Sequence, residues 1–295
     1  MKIQGCFTAI VTPFRNDKVD FDALKKIVRF QVENGINGLV PCGSTGEAAT
    51  LSPEEYLAVI KTVVAAAGGK VPVVPGVGTN STAKSVEMVK KVSALGVDGL
   101  LAIVPYYNKP TQEGMTAHFS ALAKATRLPI ILYNIPGRTG VNMLPATVLG
   151  LRRKFRNIAG IKEASGSLDQ VSEIINGADK EFAVMSGDDS LTLPMMSVGA
   201  RGGISVVSNV APAEAARLCG LFLEGKQSEA AALHHKLFQL VKTLFIETNP
   251  IPVKYAVSLL GLCRPEPRLP LTPLTVKNRA AIKKALSAAG IKRRH

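Results

Sequence analysis

The sequence contains few residues of the kinds that hold metals or build disulfide frameworks. Only four cysteines and four histidines occur among 295 residues, and no two cysteines form a Cys-x-x-Cys pair. Zinc sites need closely spaced ligand pairs, and disulfide scaffolds need many cysteines in a short chain. We therefore expect no metal and no other cofactor. The following cysteines are interpreted as buried thiols: Cys6, Cys42, Cys219 and Cys263.

Long hydrophobic runs are missing as well. No apolar stretch reaches the roughly 18–20 residues that a membrane-spanning helix requires, although 46% of the residues are hydrophobic. The first six residues lead directly into a strand-like segment and lack the apolar region and cleavage site of a signal peptide. The sequence therefore predicts a soluble cytoplasmic protein with a large core and no membrane partner.

Acidic residues are in short supply, since 22 Asp and Glu stand against 36 Lys and Arg, giving a formal net charge of +14. Such a charge can indicate binding to nucleic acid or to another anionic surface. Here the basic residues are spread over the predicted helices, with one short cluster at residues 292–294, and no nucleic-acid-binding motif accompanies them. We interpret the charge as dispersed and solvated, and expect no nucleic-acid partner.

Short β-branched runs alternate with longer helical patterns along most of the chain. The predicted strands cover residues 7–12, 38–41, 71–77, 99–105, 130–134, 158–163, 183–186 and 203–207. Helix start signals stand between them, because small hydroxyl residues cap helix N-termini. These predicted caps are Ser52, Ser81, Thr111 and Ser167.

Eight strand–helix repeats predict a parallel sheet, because each crossover returns to the same edge in the right-handed sense. No Gly-x-Gly-x-x-Gly fingerprint follows the first strand to support an open dinucleotide-binding sheet. Eight units in about 220 residues favour closure, so the predicted fold is a (β/α)₈ barrel. We place the catalytic barrel at residues 1–224 and a C-terminal helical extension at residues 225–295.

The sixth predicted strand carries a lysine, Lys162, among apolar neighbours. If this side chain faces the barrel interior, burial penalises the charged form and favours a neutral amine. A neutral lysine amine is a nucleophile toward carbonyls and forms a Schiff base. The alternative is a lysine that points outward between helices.

Other strand ends carry groups suited to bind anions or to move protons. Ser44 and Thr45 lie between glycines and offer hydroxyl and backbone donors to a carboxylate, or simply form a tight turn. Tyr107 and Tyr133 could supply phenols for proton transfer, or pack as aromatic side chains. Arg138, in a Gly/Pro loop, suits bidentate capture of a carboxylate, or it is a surface residue.

Six runs together resemble the signature segments of the dihydrodipicolinate synthase family. They cover residues 43–47, 106–114, 133–141, 160–165, 186–189 and 249–254, in order and with matching spacing. The resemblance implies a class I aldolase in which Lys162 condenses with pyruvate. The resulting enamine attacks L-aspartate 4-semialdehyde, in the diaminopimelate route to lysine.

The same resemblance implies a role for each candidate residue. Tyr133, Tyr107 and Ser44 would relay protons at the Schiff base. In this family the tyrosine matching Tyr107 enters the site of a neighbouring subunit, which implies a homo-oligomer, usually a dimer of dimers. For substrate binding, Thr45 would hold the pyruvate carboxylate and Arg138 that of the semialdehyde. The Ile204 carbonyl would contact the pyruvate side.

Two alternatives to this function stay open. The family usually has two threonines where this chain has Ser44 and Thr45, and Ser-Thr is also typical of the related N-acetylneuraminate lyases. Arg138 favours the synthase, because it suits a small aldehyde that bears a carboxylate. The remote alternative is a polyanion-binding protein on a non-catalytic barrel, which the charge of +14 would suit.

Feedback inhibition by lysine is expected to be weak or absent. Lysine-inhibited synthases carry a glutamate and histidines in a site at the dimer interface. The matching positions here are Lys84, Pro53 and Tyr56, whereas Asn80 and Tyr106 are kept. A cation at position 84 would repel the ammonium group of a bound lysine, at a cost of roughly 1 kcal/mol per close pair.

Overall fold

A computed structural model describes residues 1–292. Two residues of the predicted basic cluster, Arg293 and Arg294, lie outside the described residues. The strands are β1 (Gly5–Ala9), β2 (Phe14–Arg15), β3 (Lys18–Val19), β4 (Gly38–Val40), β5 (Gly76–Val77), β6 (Leu100–Ile103), β7 (Ile130–Asn134), β8 (Ile158–Glu163), β9 (Ala183–Ser186) and β10 (Gly202–Ser205).

Helices follow most of these strands. They are α1 (Phe21–Glu33), α2 (Pro53–Ala67), α3 (Thr82–Ser93), α4 (Gln112–Ala125), α5 (Pro136–Thr139), α6 (Pro145–Lys154), α7 (Leu168–Gly177), α8 (Thr192–Ser197), α9 (Pro212–Leu223), α10 (Gln227–Thr243), α11 (Ile251–Leu259) and α12 (Val276–Ala288). Short 3-10 helices cover Ala48–Thr50, Asp189–Leu191 and Val207–Asn209. In the described part of the chain, no helix has both the length and the hydrophobicity that a bilayer span requires.

The chain divides into two compact units. The first comprises Met1–Gly5 and Val74–Ile204, and the second comprises Cys6–Val73 and the residues from 205 onward. In the first unit, β5 to β10 pair in sequence order, and every pairing is parallel. All five residues of β7 are buried, as expected for a parallel strand covered on both faces. This unit therefore provides a rigid row of adjacent strand ends.

The second unit contains a parallel pair, β1 with β4, and the antiparallel hairpin of β2 and β3. Phe7 of β1 is fully buried and lies opposite Gly38 of β4. A Cβ atom at position 38 would lie 2.5 Å from the Phe7 ring. Glycine therefore makes room for this core aromatic, because atoms at that separation would overlap.

Three of the predicted strands have the observed bounds, and one was wrong over most of its length. The predicted ranges 130–134, 158–163 and 183–186 are confirmed with the same bounds. The prediction of one strand over residues 71–77 was wrong, because Pro72 and Pro75 have no N–H to donate. Only β5 is a strand there, and Val73 adds an isolated parallel bridge to Leu39.

The four predicted helix caps are confirmed. Ser52 accepts a hydrogen bond from the Glu55 amide at 3.2 Å, and the Glu55 carboxylate accepts one from the Ser52 amide at 3.1 Å. This reciprocal pair satisfies two amides that lack partners in the first turn of a helix. At the start of α3, α4 and α7, the side chain of the capping residue likewise accepts a hydrogen bond from the amide three residues later, and these caps are Ser81, Thr111 and Ser167.

The cysteine prediction is confirmed for three of the four residues. Cys6, Cys42 and Cys219 are buried thiols, and Cys263 is half-buried. Burial raises the pKa of the Cys42 thiol, and it raises that of Cys263 to about 12. Both groups are therefore poor nucleophiles, because the thiolate is the reactive form.

Candidate active site

Lys162 lies near the end of β8 in the first unit and is 6% exposed. Its partner in the register of the parallel pair is Tyr133 of β7. The two side chains therefore lie on the same face of the sheet. The Lys162 Nζ lies 4.1 Å from the centroid of the Tyr133 ring. The structure thus places this lysine, buried, against one of the two predicted phenols.

The Lys162 amine lies against an aromatic ring. Tyr133 is 5% exposed, so its ring shields the amine from water. Within residues 1–292, no carboxylate forms a salt bridge with Lys162. A lysine amine that is not engaged in a salt bridge can act as a nucleophile toward a carbonyl.

Gly187 follows β9 and borders the lysine side chain. A Cβ atom at this position would lie 3.1 Å from the Lys162 Cε and 2.6 Å from the Ala164 Cβ. A larger residue would therefore displace one of these groups. Sequence reasoning included this glycine in a signature run, but it gave it no role. A tight packing contact of this kind leaves no signal in a single sequence.

Tyr107 differs from Tyr133 in its exposure and in its backbone conformation. It lies in the loop after β6, it is 87% exposed, and its φ of +72° falls in the left-handed region. A non-glycine residue rarely adopts that backbone conformation without a constraint. Neighbouring Tyr106 is 36% exposed. The structure thus presents the Tyr107 phenol to solvent and does not pack it into the core of its own chain.

Two further candidates of the first unit occupy contrasting places. Arg138 is exposed in α5, a single helical turn that ends at Gly140 with a φ of +75°. Ile204 is buried in β10. An exposed guanidinium in a loop is accessible from solvent, whereas an isoleucine can offer a polar ligand only its backbone.

Ser44 and Thr45 belong to the second unit, in a turn that follows β4. The turn is closed by backbone hydrogen bonds from Gly46 to Gly43 and from Glu47 to Ser44, both of 3.1 Å. Thr45 is buried, and its Oγ1 accepts a hydrogen bond from the Asn249 Nδ2 at 3.0 Å. The tight turn that was the alternative is present, and the hydrogen bond from Asn249 fixes the Thr45 hydroxyl.

The same turn is held by a buried ion pair. The Glu47 carboxylate pairs with the Lys254 amine of α11. It also accepts a hydrogen bond from the Arg268 amide at 3.0 Å. Arg268 in turn makes two 2.6 Å hydrogen bonds to Glu55 at the start of α2. Residues near the C-terminus therefore anchor the turn that carries Ser44.

Sequence reasoning missed three residues besides Gly187. Glu163, next to Lys162 in β8, is a buried carboxylate with a full set of hydrogen-bond donors. Asn134 of β7 is one of those donors, and Asn249 binds Thr45. An acid inside a strand buried on both faces must be hydrogen-bonded, and this rule alone could have marked Glu163. Among residues 1–292, no three His, Cys, Asp or Glu side chains are arranged to hold a metal ion.

Known proteins resemble this chain along nearly its whole length. A model of the dihydrodipicolinate synthetase family matches residues 2–289. A 4-hydroxy-tetrahydrodipicolinate synthase from Nitratidesulfovibrio vulgaris is 48% identical over 291 residues, which is 99% of this chain and 100% of that protein. Another, from Geotalea uraniireducens, is 50% identical over 288 residues, or 98% of this chain and 99% of that one.

The solved structure of dihydrodipicolinate synthase from Aquifex aeolicus matches with a TM-score of 0.97 at 43% identity. It covers 99% of this chain and 100% of its own. Such a match over the full length fixes the fold. The predicted class, a (β/α)₈ barrel with a C-terminal helical part, is confirmed.

Proposed function

The chain belongs to the dihydrodipicolinate synthetase family, and we propose that it works through a Schiff base between Lys162 and pyruvate. Its activity is that of a 4-hydroxy-tetrahydrodipicolinate synthase, a lyase of the diaminopimelate route to lysine. The lysine's role rests on one observation, namely a buried amine 4.1 Å from the Tyr133 ring without a salt bridge in the described residues.

The reaction begins when the neutral Lys162 amine attacks the keto carbon of pyruvate and water leaves. The product is a cationic imine, whose charge makes the methyl protons acidic. Loss of one proton gives an enamine, which forms a carbon–carbon bond to the aldehyde of L-aspartate 4-semialdehyde. The substrate's own amine then attacks the imine carbon and closes the ring. Lys162 leaves as the free amine, so no cofactor is consumed.

Proton transfers need groups that can both donate and accept. Tyr133 is the first of these, since its ring already packs against the lysine amine. Ser44 and Tyr107 complete the relay. The 87% exposure of Tyr107 supports a contribution to the site of a neighbouring subunit. A phenol that acted only in the active site of its own subunit would be expected to pack against residues of that subunit.

Each of the two substrates carries a carboxylate, which must be bound at a position away from the reacting carbons. Thr45 binds that of pyruvate, through a hydroxyl fixed by Asn249. Arg138 binds that of the semialdehyde, because its planar guanidinium suits a bidentate pair. The Ile204 carbonyl contacts the pyruvate side. Without such clamps the enamine and the aldehyde would meet in unproductive orientations.

The family is oligomeric, and we extend the proposal to a dimer of dimers in which Tyr107 crosses the tight interface. We also propose a cytoplasmic location, which suits a biosynthetic enzyme with two small water-soluble substrates. We also retain the division into a catalytic barrel at residues 1–224 and a helical extension at residues 225–295. Gly225, with a φ of +79°, separates α9 from α10 at that boundary.

The decisive experiment is reduction with borohydride in the presence of pyruvate, followed by mass mapping of peptides. Borohydride fixes the imine as a stable secondary amine on the lysine that formed it. We expect one adduct per chain, on Lys162, and none in a Lys162→Ala variant. An adduct on another lysine, or no adduct, would refute the mechanism.

The substrate assignment is tested separately with Arg138→Ala. This variant should still form the pyruvate adduct, yet lose most of its kcat/KM for the semialdehyde, by about 10²-fold if a bidentate contact is removed. Assays with N-acetylmannosamine in place of the semialdehyde provide the control for the related lyases. Turnover of that sugar at a rate similar to that of the semialdehyde would overturn the assignment.

A further inference from the structure

Glu163, the last residue of β8, is a buried carboxylate that the proposed chemistry does not use. It is 2% exposed. The Asn134 Nδ2 donates to both carboxylate oxygens at 3.1 Å, the Ser165 amide donates to Oε1 at 2.7 Å, and the Gln170 Nε2 donates to Oε2 at 3.0 Å. No cation of residues 1–292 forms a salt bridge with it. Neutral donors therefore surround this carboxylate.

The orientation of these donors is fixed by further hydrogen bonds. The Asn134 Oδ1 accepts one from the Met143 amide at 3.0 Å, so the Nδ2 must face Glu163. The Asn142 Oδ1 accepts from the Asn134 Nδ2 at 2.7 Å, and the Asn142 Nδ2 donates to the Gln170 Oε1 at 2.8 Å. Because a backbone amide begins this chain of contacts, no amide can turn over without breaking several bonds.

The position of this network in the sheet connects it with the chemistry. Tyr133 and Lys162 form one register pair of β7 and β8, and Asn134 and Glu163 form the next. Successive side chains of a strand point to opposite faces. The bond from Asn134 to Glu163 thus joins the two strands one residue after the lysine and the phenol, on the other face of the sheet.

We propose that Glu163 is a positioning residue for the pair formed by Lys162 and Tyr133. Its carboxylate ties the ends of β7 and β8 together and so fixes the distance from the Lys162 amine to the Tyr133 ring. Proton transfers between substrate and phenol depend on that distance, and a displacement of about 1 Å in an active site can cost about 10²-fold in rate. This inference rests on the proposed function, since it assumes that both residues act on bound pyruvate.

The test is Glu163→Gln, which keeps the size and removes one acceptor oxygen. One of the three donor groups would then face an NH₂ group, and the tie between the strands would loosen. We expect kcat to fall about 10- to 100-fold, while the KM for pyruvate changes less than threefold. The borohydride adduct on Lys162 should form more slowly and still reach one per chain.

Asp179→Asn is the matched control, because it also converts a carboxylate of the first unit into an amide. Asp179 binds Arg152 at 2.7 Å and belongs to no strand. This variant should lower the melting temperature and leave kcat unchanged. A merely destabilised protein loses activity only because part of it is unfolded at the assay temperature. If that unfolded fraction accounts for the whole loss of kcat in Glu163→Gln, the positioning role is refuted.

Rescue provides an independent readout. Combining Asn134→Asp with Glu163→Gln moves the carboxylate to the other strand and restores a donor facing an acceptor. At least threefold of the lost kcat should return, and no recovery would contradict the inference. A wild-type enzyme without a Lys162 adduct would instead refute the proposed function. A wild-type adduct with unchanged kcat in Glu163→Gln would refute only the role of Glu163.

Gln170→Met is the milder variant, for use if Glu163→Gln does not fold. It removes one of the donors to Glu163 and leaves the carboxylate in place. We expect a severalfold loss of kcat with the KM for pyruvate unchanged. An unchanged kcat together with an intact adduct would count against the proposal.

Discussion

Two lysines, one in each unit, are alike in burial and in aromatic contact. Lys162 in β8 is 6% exposed and Lys254 in α11 is 1% exposed. The Nζ of each lies 4.1 Å from the centroid of an aromatic ring, Tyr133 in one case and Phe14 in the other. Burial and aromatic contact therefore do not distinguish the proposed nucleophile, Lys162, from Lys254.

The difference is the countercharge. Lys254 pairs with the buried Glu47 carboxylate and donates to the Glu266 carbonyl at 3.1 Å. Burial lowers the pKa of Lys254, although Glu47 opposes the shift. A lowered pKa alone would thus suggest Lys254 as the nucleophile. Its amine is held by a carboxylate and a carbonyl, however, whereas Lys162 has no salt bridge within residues 1–292.

The largest expected effect separates the two lysines by chemistry. In a Lys162→Met variant, kcat should fall by about 10⁴-fold or more, because the covalent intermediate cannot form. In a Lys254→Met variant, borohydride and pyruvate should still modify Lys162. Mass mapping of both proteins measures this directly. Labelling of Lys254 instead of Lys162 in the wild-type protein would show that Lys254 is the nucleophile.

The second effect concerns stability and should appear only at Lys254. Lys254→Met leaves the Glu47 carboxylate buried without its cation, which costs about 3–5 kcal/mol of unfolding free energy. Combining it with Glu47→Gln removes both charges and should recover about 2 kcal/mol of the loss. Denaturant unfolding at a fixed protein concentration provides the measurement. A double variant no more stable than the single one would show that the charge is not the cause.

A third buried basic residue, His118, is expected to make the stability of the protein depend on pH. His118 of α4 is 3% exposed, its Nδ1 lies 2.9 Å from the Thr82 Oγ1, and its Nε2 has no partner in the described residues. Burial lowers the pKa of His118 to about 4. The unfolded chain therefore binds the proton more readily. The corresponding stability is present above about pH 6.5 and is lost as the pH falls toward 4.

The expected size of this contribution is on the order of 2–3 kcal/mol at most. In His118→Gln it should disappear, so the unfolding free energies of the two proteins should differ by a pH-dependent amount between pH 4 and 6.5. Urea titrations at several pH values measure that difference. Parallel curves over this window would show that folding does not lower the pKa of His118.

The smallest expected effect belongs to an exposed lysine, Lys84, in the first turn of α3. Feedback by lysine should be weak, because this cation would repel the inhibitor's ammonium group by roughly 1 kcal/mol. Lys84→Glu should therefore strengthen inhibition about fivefold or more. Initial rates at increasing lysine concentration measure this inhibition. Sensitive inhibition of the wild-type protein would contradict the prediction, and Lys84→Ala controls for loss of the side chain alone.

The parts of the site that lie within one strand or one turn could be predicted from the sequence. The apolar run around Lys162 marked a buried lysine, and the register with β7 explains its contact with Tyr133. The turn with Ser44 and Thr45 was also located. The anchor of that turn was not, because Lys254 lies 207 residues from Glu47 along the chain. A pairing over that separation leaves no periodicity for a single sequence to reveal.

The alternation of strands and helices, the caps and the buried lysine were determined by the sequence itself, since period, proline and hydroxyl placement act over a few neighbouring residues. The tertiary structure decided which buried charges are paired. It set neutral donors around Glu163 and a cation against Glu47, and it left Lys162 beside an aromatic ring. The reason is physical: the cost of a buried charge depends on every group around it, and the chain brings those groups together only when it folds.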